Sequence, residues 1–413
     1  MDQIPANQVP ISGAPFYIAS VIKIVVIFTI IMVLVALWTY VERRVCAFMQ
    51  NRLGPNRVGP QGILQPAADG LKNFLKEETL PPFADRGLFI LAPMLSFIPA
   101  LLTFSVLPMA SPLPTRWGLV SMAIADLPVG FLFILAVASL GVYGIALAGW
   151  ASNNKYSLLG GLRASAQLIS YEIAMGLAAV AVLVLAGNIT PHEIIQRQHE
   201  SSWYVAPLFI AFLIFLIASF AETNRLPFDM PEAEAELIAG YHTEYSAMKF
   251  SMFFIAEYAN MLTASALLVT LFFGGWDIFP RLHFSEPPWT LGKTALTLAA
   301  FWIKTLFFYF LYIWVRWTLP RFRFDQLMDL GWKILLPTAL GYVMVVAVAS
   351  WALIETGIGL GSKGMLVLSG VNIILAGVLF FILDRGRVVG GASRRARPAR
   401  GEVVSRLAPP ERA

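Results

Sequence analysis

Nine stretches of this 413-residue chain are long and apolar enough to cross a bilayer, at about 17–41, 88–108, 126–149, 165–187, 204–221, 249–274, 294–315, 334–354 and 364–383. A helix needs ~20 apolar residues to span the hydrocarbon, where every backbone N–H and C=O must be satisfied within the protein. That leaves a helix bundle or a closed barrel. Alternation of apolar and polar residues is absent, so the expected fold is all-α: a polytopic membrane helix bundle of about nine transmembrane helices. Composition agrees. Hydrophobic residues make up 58% and charged residues 13%, about half the usual charged share and too little to coat a soluble surface. The single cysteine, Cys46, cannot form an internal disulfide or a four-ligand metal site. Glu42, Arg43 and Arg44 follow the first stretch where a signal peptide would carry small cleavage-site residues, so it reads as a retained span.

Basic residues set the expected orientation. The connections on one side, with the tail after 384, hold 23 Lys and Arg; those on the other hold 5, and Lys23 and Lys304 lie within spans. Positive loops stay in the cytoplasm. The N-terminus is therefore expected outside and the C-terminus inside, which requires an odd number of spans. The tail, with Arg394, Arg395, Arg397 and Arg400 among Pro, Gly and Ala, reads as a disordered arm on anionic lipid. No domain that could read a nucleic-acid groove accompanies it.

The outer connections carry little chemistry. His192, His199 and His283 are scattered, and Pro191-His192-Glu193 lacks the second histidine of a zinc motif, so no metal site is expected. Phosphate-cradling, nucleotide and flavin fingerprints are missing, which assigns any redox cofactor to a partner.

The inner connections differ. Residues 42–87 open on Glu42-Arg43-Arg44 and contain a near-repeat, Arg52-Leu53-Gly54-Pro55-Asn56 and Arg57-Val58-Gly59-Pro60-Gln61. Gly-Pro pairs break helix and strand alike, so a rigid cuff is expected, with Arg52 and Arg57 at equivalent positions. Leu64, Ala67, Ala68, Leu71, Phe74 and Leu75 then recur on one helix face, opposite Asp69, Lys72, Asn73 and Lys76. This amphipathic helix is either a lipid-surface anchor or the wall of a site that receives Asp69. Residues 222–249 concentrate Glu222, Asp229, Glu232, Glu234, Glu236 and Glu244 against Arg225 and Lys249 only. On a helix, Asp229, Glu232 and Glu236 would share a face. The stretch is either a solvated acidic loop or a coupled set of carboxyls that holds and releases protons.

Ionisable residues within spans are functional candidates by default. Glu172, Glu257 and Lys304 qualify, as a polar thread into the bilayer or as structural hydrogen bonds between helices. Lys23, near a span end, snorkels. The aromatic run from Trp302 to Trp317 suits lipid contact or an interfacial belt.

Four motifs in order carry a resemblance: ERR…QNRLGPNRVGPQGILQPAADGLKNFLKEE; GWASNNKYSLLGGLRASAQLISYE; AETNRLPFDMPEAEAELIAGYHTEYS…AEY; and PRFRFDQLMDLGWKILLP. From about residue 20 to 355 the chain resembles the H-subunit family of bacterial proton-pumping NADH–quinone oxidoreductase, respiratory complex I. It is similar, less closely, to the equivalent subunit of membrane-bound hydrogenases. Ala247, Ala235 and Asn73 stand where glycine, serine and leucine are common in the family.

The resemblance implies a multi-pass subunit of the bacterial inner membrane, at the junction of the membrane and hydrophilic arms. Its inner loops and first, sixth and seventh spans would line a chamber for the substrate quinone, and a carboxylate funnel would couple quinone reduction to proton translocation. Glu42, Arg43, Arg52, Arg57, Asp69, Arg225, Asp229 and Arg316 fall to the chamber. Glu172, Glu222, Asp229, Glu232, Glu234, Glu236, Glu244 and Glu257 fall to proton coupling. FMN and iron–sulfur clusters would reside on partner subunits, the other partners being small membrane subunits and antiporter-like subunits. Residues 1–355 form the family-like domain, 356–384 an additional span and 385–413 the basic tail, the last two expected to be dispensable for the chemistry. The competing reading, a transporter acting alone, lacks the paired repeats with broken helices that such folds carry. The orientation is directly testable: a tag after Ala413 should meet a membrane-impermeant reagent in inside-out vesicles and escape it in intact cells, and the reverse pattern would contradict the topology.

Overall fold

Helix length decides which apolar stretches can cross on their own. The protein is represented by a computed structural model, which describes residues 13–230, 237–281 and 286–384. Among these, eight helical segments are long and apolar enough to cross a membrane. They are α1 (Ala14–Met49), α3 (Arg86–Leu102, extended by a 3-10 turn to Val106), α4 (Gly130–Ala151), α5 (Lys155–Ala186), α8 (Ala247–Phe272), α9 (Leu291–Thr318), the joined α10 (Phe324–Asp329) and α11 (Leu336–Glu355), and α12 (Ser362–Asp384). The all-α membrane bundle is thus realised. Its only described strands, β1 (Leu113–Thr115) and β2 (Gly118–Val120), form a small antiparallel hairpin pairing Leu113 with Val120.

The remaining stretch, expected at 204–221, is the shorter helix α7 (Phe209–Glu222). Its 14 residues reach about 21 Å, against ~30 Å of hydrocarbon. Pro207 stops it: proline has no N–H to donate and disfavours a helical residue before it. Two short helices complete the set, α2 (Gln65–Leu75) and α6 (Pro191–Glu200).

α1 does not end at residue 41. No glycine or proline interrupts the chain until Gly54, so the helix runs on through Glu42, Arg43 and Arg44 to Met49. These residues sit on a helix, not in a loop. The cuff that follows is non-helical apart from one turn at Pro60–Gly62. It folds back on α1: Arg44 Nη1 donates to Gln61 O at 2.6 Å and Tyr40 OH donates to the same carbonyl at 2.8 Å. Gly62, at φ 81°, lies where a Cβ would stand 2.3 Å from Pro55 O, so only glycine closes this turn. α2 is amphipathic as expected and packs beside α1 and α8. Leu64, Leu71, Phe74 and Leu75 remain exposed along it.

α8 is the innermost helix, with 72% of its spanning window buried, against 17% for α1. α4 and α5 pack closely through Gly149 and Gly161, where a Cβ on Gly149 would meet Ser157 O at 2.6 Å. Between α10 and α11 the chain makes a π-helical turn, Leu330–Leu335, and the Leu327 carbonyl beside it accepts from Tyr171 OH at 2.9 Å.

The chain enters α8 through a strained residue. Ala247 has φ 52°, in the left-handed region that costs a residue with a Cβ roughly 1–2 kcal/mol. Ala247→Gly should raise the thermal midpoint of the assembled protein by an amount equivalent to about 1 kcal/mol. A lower midpoint would show that the entropy of the added glycine outweighs the strain.

Candidate functional site

Four elements converge on one buried carboxylate. On α1, Trp38, Glu42 and Cys46 lie one turn apart on the buried face. Trp38 stacks on Tyr309 of α9 with ring centroids 4.0 Å apart, and Tyr309 OH donates to Tyr258 O of α8 at 3.1 Å. This aromatic clamp sets Glu42 against α8 and α9. Glu42 Oε1 accepts from Arg225 Nη1 at 3.0 Å and also from Arg316 Nη1. Its other oxygen accepts from Tyr258 OH at 2.6 Å. Arg225 Nε lies 2.6 Å from Glu257 Oε1, and the guanidinium stands 4.4 Å from the Tyr258 ring centroid.

Arg225 and Glu42 are 5% and 6% exposed. Burial by itself would weaken Arg225's hold on its proton. Glu257 and Glu42 outweigh that and keep the guanidinium well above its ordinary value. Two carboxylates are thus matched by two guanidiniums, which is what makes such burial tolerable. Arg225 Nη2 is nevertheless buried without a hydrogen-bond partner among the described residues.

The segment bearing Arg225 is held from α5. Gln167, fully buried, donates through Nε2 to Ala221 O at 2.8 Å, Asn224 Oδ1 at 3.2 Å and Phe228 O at 2.9 Å. Asn224 takes φ 50°, a left-handed turn that asparagine tolerates better than most residues. Asp229 then pairs with Arg321 at 3.0 Å. Burial pushes the Asp229 carboxyl up from its ordinary value, against the opposing pull of Arg321, Arg316 and Arg225. Asp229 lies in irregular chain rather than on a helix, so the expected shared face with Glu232 and Glu236 does not arise at this residue. Glu232, Glu234 and Glu236 lie outside the described residues.

A second constellation adjoins the first. A cavity of about 50 Å³ lies between α3, α4, α5, α7 and α8, lined by Glu172, Glu222 and Glu257 together with Ser96, Asn224, Tyr241 and Asn260. At ~10–15 Å³ per water on this measure it admits a few waters. Glu257 belongs to both groups, facing the cavity and pairing with Arg225. Beside Tyr241, burial pushes His242 down to about 4, so this ring stays neutral at pH 7.

Other sequence candidates fall elsewhere. Arg43 pairs with Asp69 of α2 at 2.6 Å in a partly exposed contact, which aligns α2 with α1 and contributes little stability. Arg52 bonds Gln50 at 2.6 Å and, like Arg57, is exposed on the cuff. Glu244 accepts from Asn154 at 2.6 Å, and Asn154 caps α5; Glu244 is not among the cavity-lining residues. Lys304 does not join the acids. Its ammonium donates to the carbonyls of Phe273 (2.8 Å), Gly275 (3.3 Å) and Asp277, closing the far end of α8. Tyr258, Gln167 and Arg321 carry no distinct signal in the sequence, and Tyr309 stands out there only as one of the aromatic run. Tyr309 and Tyr312 are buried within the bundle, unlike the lipid-facing belt expected of their aromatic run.

Removing Arg225 would strand Glu42 and Glu257 in a low-dielectric interior, a loss of about 3–5 kcal/mol for a broken buried pair. Arg225→Ala should therefore abolish accumulation of the folded protein in membranes, read by immunoblot of the assembled fraction. Arg225→Lys keeps a charge and should restore part of it. Normal assembly of the alanine variant would show that the cluster carries no such energy.

Comparison with known proteins adds an independent line. Residues 22–347 match the family model described as NADH dehydrogenase. The chain is 48% identical over 335 residues to a protein of Cytophaga hutchinsonii named as H subunit 1 of NADH-quinone oxidoreductase, covering 80% of this chain and 96% of the relative. It is 49% identical over 350 residues to H subunit 2 of the NADH-quinone oxidoreductase of Koribacter versatilis, covering 81% and 98%. It is 48% identical over 342 residues to the H subunit of the Leptospira biflexa enzyme, covering 79% and 93%. With the all-α bundle and its buried acid–arginine cluster in hand, these matches leave one assignment: the chain belongs to the H-subunit family of NADH–quinone oxidoreductase, a multi-pass membrane protein family of respiratory complex I.

Proposed function

We propose that this protein forms most of a quinone-binding chamber and couples quinone reduction to proton translocation. The observation that carries the reading is the double membership of Glu257: it pairs with Arg225 in the buried cluster and lines the cavity shared by Glu172 and Glu222. The cluster reaches toward solvent at the partly exposed Arg316, so through Glu257 the two constellations make a polar route from the end of the bundle into its interior.

Reduction of a quinone to a quinol consumes two electrons and two protons. In this reading the electrons come from an iron–sulfur cluster on a hydrophilic partner subunit, fed in turn by FMN and NADH. The headgroup occupies the space bounded by α1, α2, α8 and the segment bearing Arg225 and Asp229. Charge arriving there changes the field on Glu42 and Glu257, and a guanidinium that keeps its proton transmits that change without neutralising it. The carboxyls around the small cavity titrate as a coupled set. They pass the change on as proton movement along the cavity waters, toward antiporter-like subunits. Small membrane subunits complete the walls. Glu232, Glu234 and Glu236 extend the set as further proton-coupling carboxyls, and the end of the bundle bearing Glu42 faces the cytoplasm. Residues 1–355 carry this machinery and 356–384 add a helix; the basic tail, 385–413, lies outside the described residues.

Glu222→Gln, Glu232→Gln and Glu236→Gln preserve shape and remove titration. In membranes with normal assembly, inhibitor-sensitive NADH–quinone reductase activity and the accompanying pH gradient should fall together. The expected loss is about tenfold, below the ~10²–10⁴ of a group that transfers the proton at the reacting atom, because these carboxyls relay it. Normal pumping in all three variants would overturn the proposal.

A further inference from the structure

The short helix α7 and the last helix, α12, meet at one buried side chain. α7 starts at Phe209, so its first turn has N–H groups and its approach has carbonyls with no helical partner. These lie deep in the bundle. Asn372, which touches them, is ten residues into α12, about 15 Å from that helix's start. At such depth lipid offers no hydrogen bonds, and the protein must supply them.

Asn372 supplies them with both ends of its amide. Its Nδ2 donates to Pro207 O and to Tyr342 OH of α11, and its Oδ1 accepts from Ile210 N at 3.4 Å. Tyr342 OH also reaches Pro207 O, at 3.5 Å. Asn372 is 4% exposed, and with Met365 and Leu368 it forms the one-sided buried stripe, spaced i, i+3, i+7, that seats α12. Two further groups of the approach to α7 are bonded from the other side. Tyr204 N bonds Gln198 Oε1 at 3.2 Å and Val205 N bonds Phe272 O at 3.0 Å.

α7 ends at Glu222, with Arg225 three residues on. A helix anchored at its start presents its end in a fixed place; one that frays or slides does not. We propose that Asn372 is a positioning residue, and that α12, which lies beyond the 22–347 family match, fixes the depth and rotation of α7 and so the placement of Glu222 in the carboxyl cavity. The inference rests on the proton-coupling reading of Glu222 and gives the C-terminal extension a part in the chemistry that its sequence did not indicate.

The test uses the whole complex in native membranes. Asn372→Leu fills the same space and makes none of the three bonds; Asn372→Ser, run in parallel, keeps a polar atom without the reach. Hydrogen exchange at residues 208–212 should quicken at least tenfold in the leucine variant. Coupled turnover should fall severalfold, with the KM for quinone unchanged and the pH profile altered in shape. Combined with Glu222→Gln, Asn372→Leu should add no further loss, as expected of two changes acting through one group. Wild-type turnover and pH profile in both Asn372 variants, or a loss that adds in full to that of Glu222→Gln, would overturn the proposal. A Glu222→Gln variant with normal pumping would sink the underlying proton-coupling reading instead, whatever the exchange at 208–212 shows.

Discussion

A guanidinium buried between two carboxylates is the constraint around which the rest of the bundle is arranged. Arg225 is held by Glu42 from α1 and Glu257 from α8, and Arg316 from α9 completes the charge balance. Removing ions from water is expensive, and only close, matched partners return the energy. The geometry of three helices must therefore be right at once. The aromatic clamp of Trp38, Tyr309 and Tyr258 and the amide of Gln167 read as the means of achieving that. A cluster so arranged is held in place yet sensitive to any further charge nearby, because the low dielectric that makes it costly also amplifies fields.

Pro207 explains why α7 is short. A full-length helix would need helical backbone through Pro207. The chain instead spends residues 203–208 in irregular conformation, bonded to α6, α8, α11 and α12. Irregular backbone inside a membrane protein is sustained only where other protein covers it. α12 is part of that cover, which ties an element outside the family match to one that ends on a cavity carboxyl. In the proposed function, the cluster and the cavity exchange electrostatic information through Glu257, and α7 sets how well Glu222 receives it.

Hydropathy made the spans legible because the bilayer demands ~20 apolar residues whatever their order. Helix ends were not legible in that way. Glu42 falls outside the first apolar stretch, yet nothing there breaks a helix, so α1 carries it onward into the bundle. The acids of 222–249 stood out by density, but density does not distinguish Glu222, in the cavity, from Glu244, which holds the cap of α5. As an ionisable residue within a span, Lys304 looks in the sequence like the acids; only the fold reveals that it closes the opposite end of α8. Tyr258 and Gln167 carry no sequence signal because uncharged polar residues within helices are common, and their value here lies wholly in what stands opposite. Asn372 is the same case, a single amide in an otherwise apolar stretch.

The central claim is that reducing quinone changes the proton occupancy of carboxyls in the shared cavity. The infrared difference spectrum of the carboxyl stretch, recorded on the intact complex as bound quinone is reduced, tests it most directly. A carboxyl difference band that is present in the wild type and is lost or shifted in Glu257→Gln is the result the account predicts. A spectrum with no carboxyl change on reduction, or one whose band survives unaltered in Glu257→Gln, Glu222→Gln and Glu172→Gln alike, would contradict it.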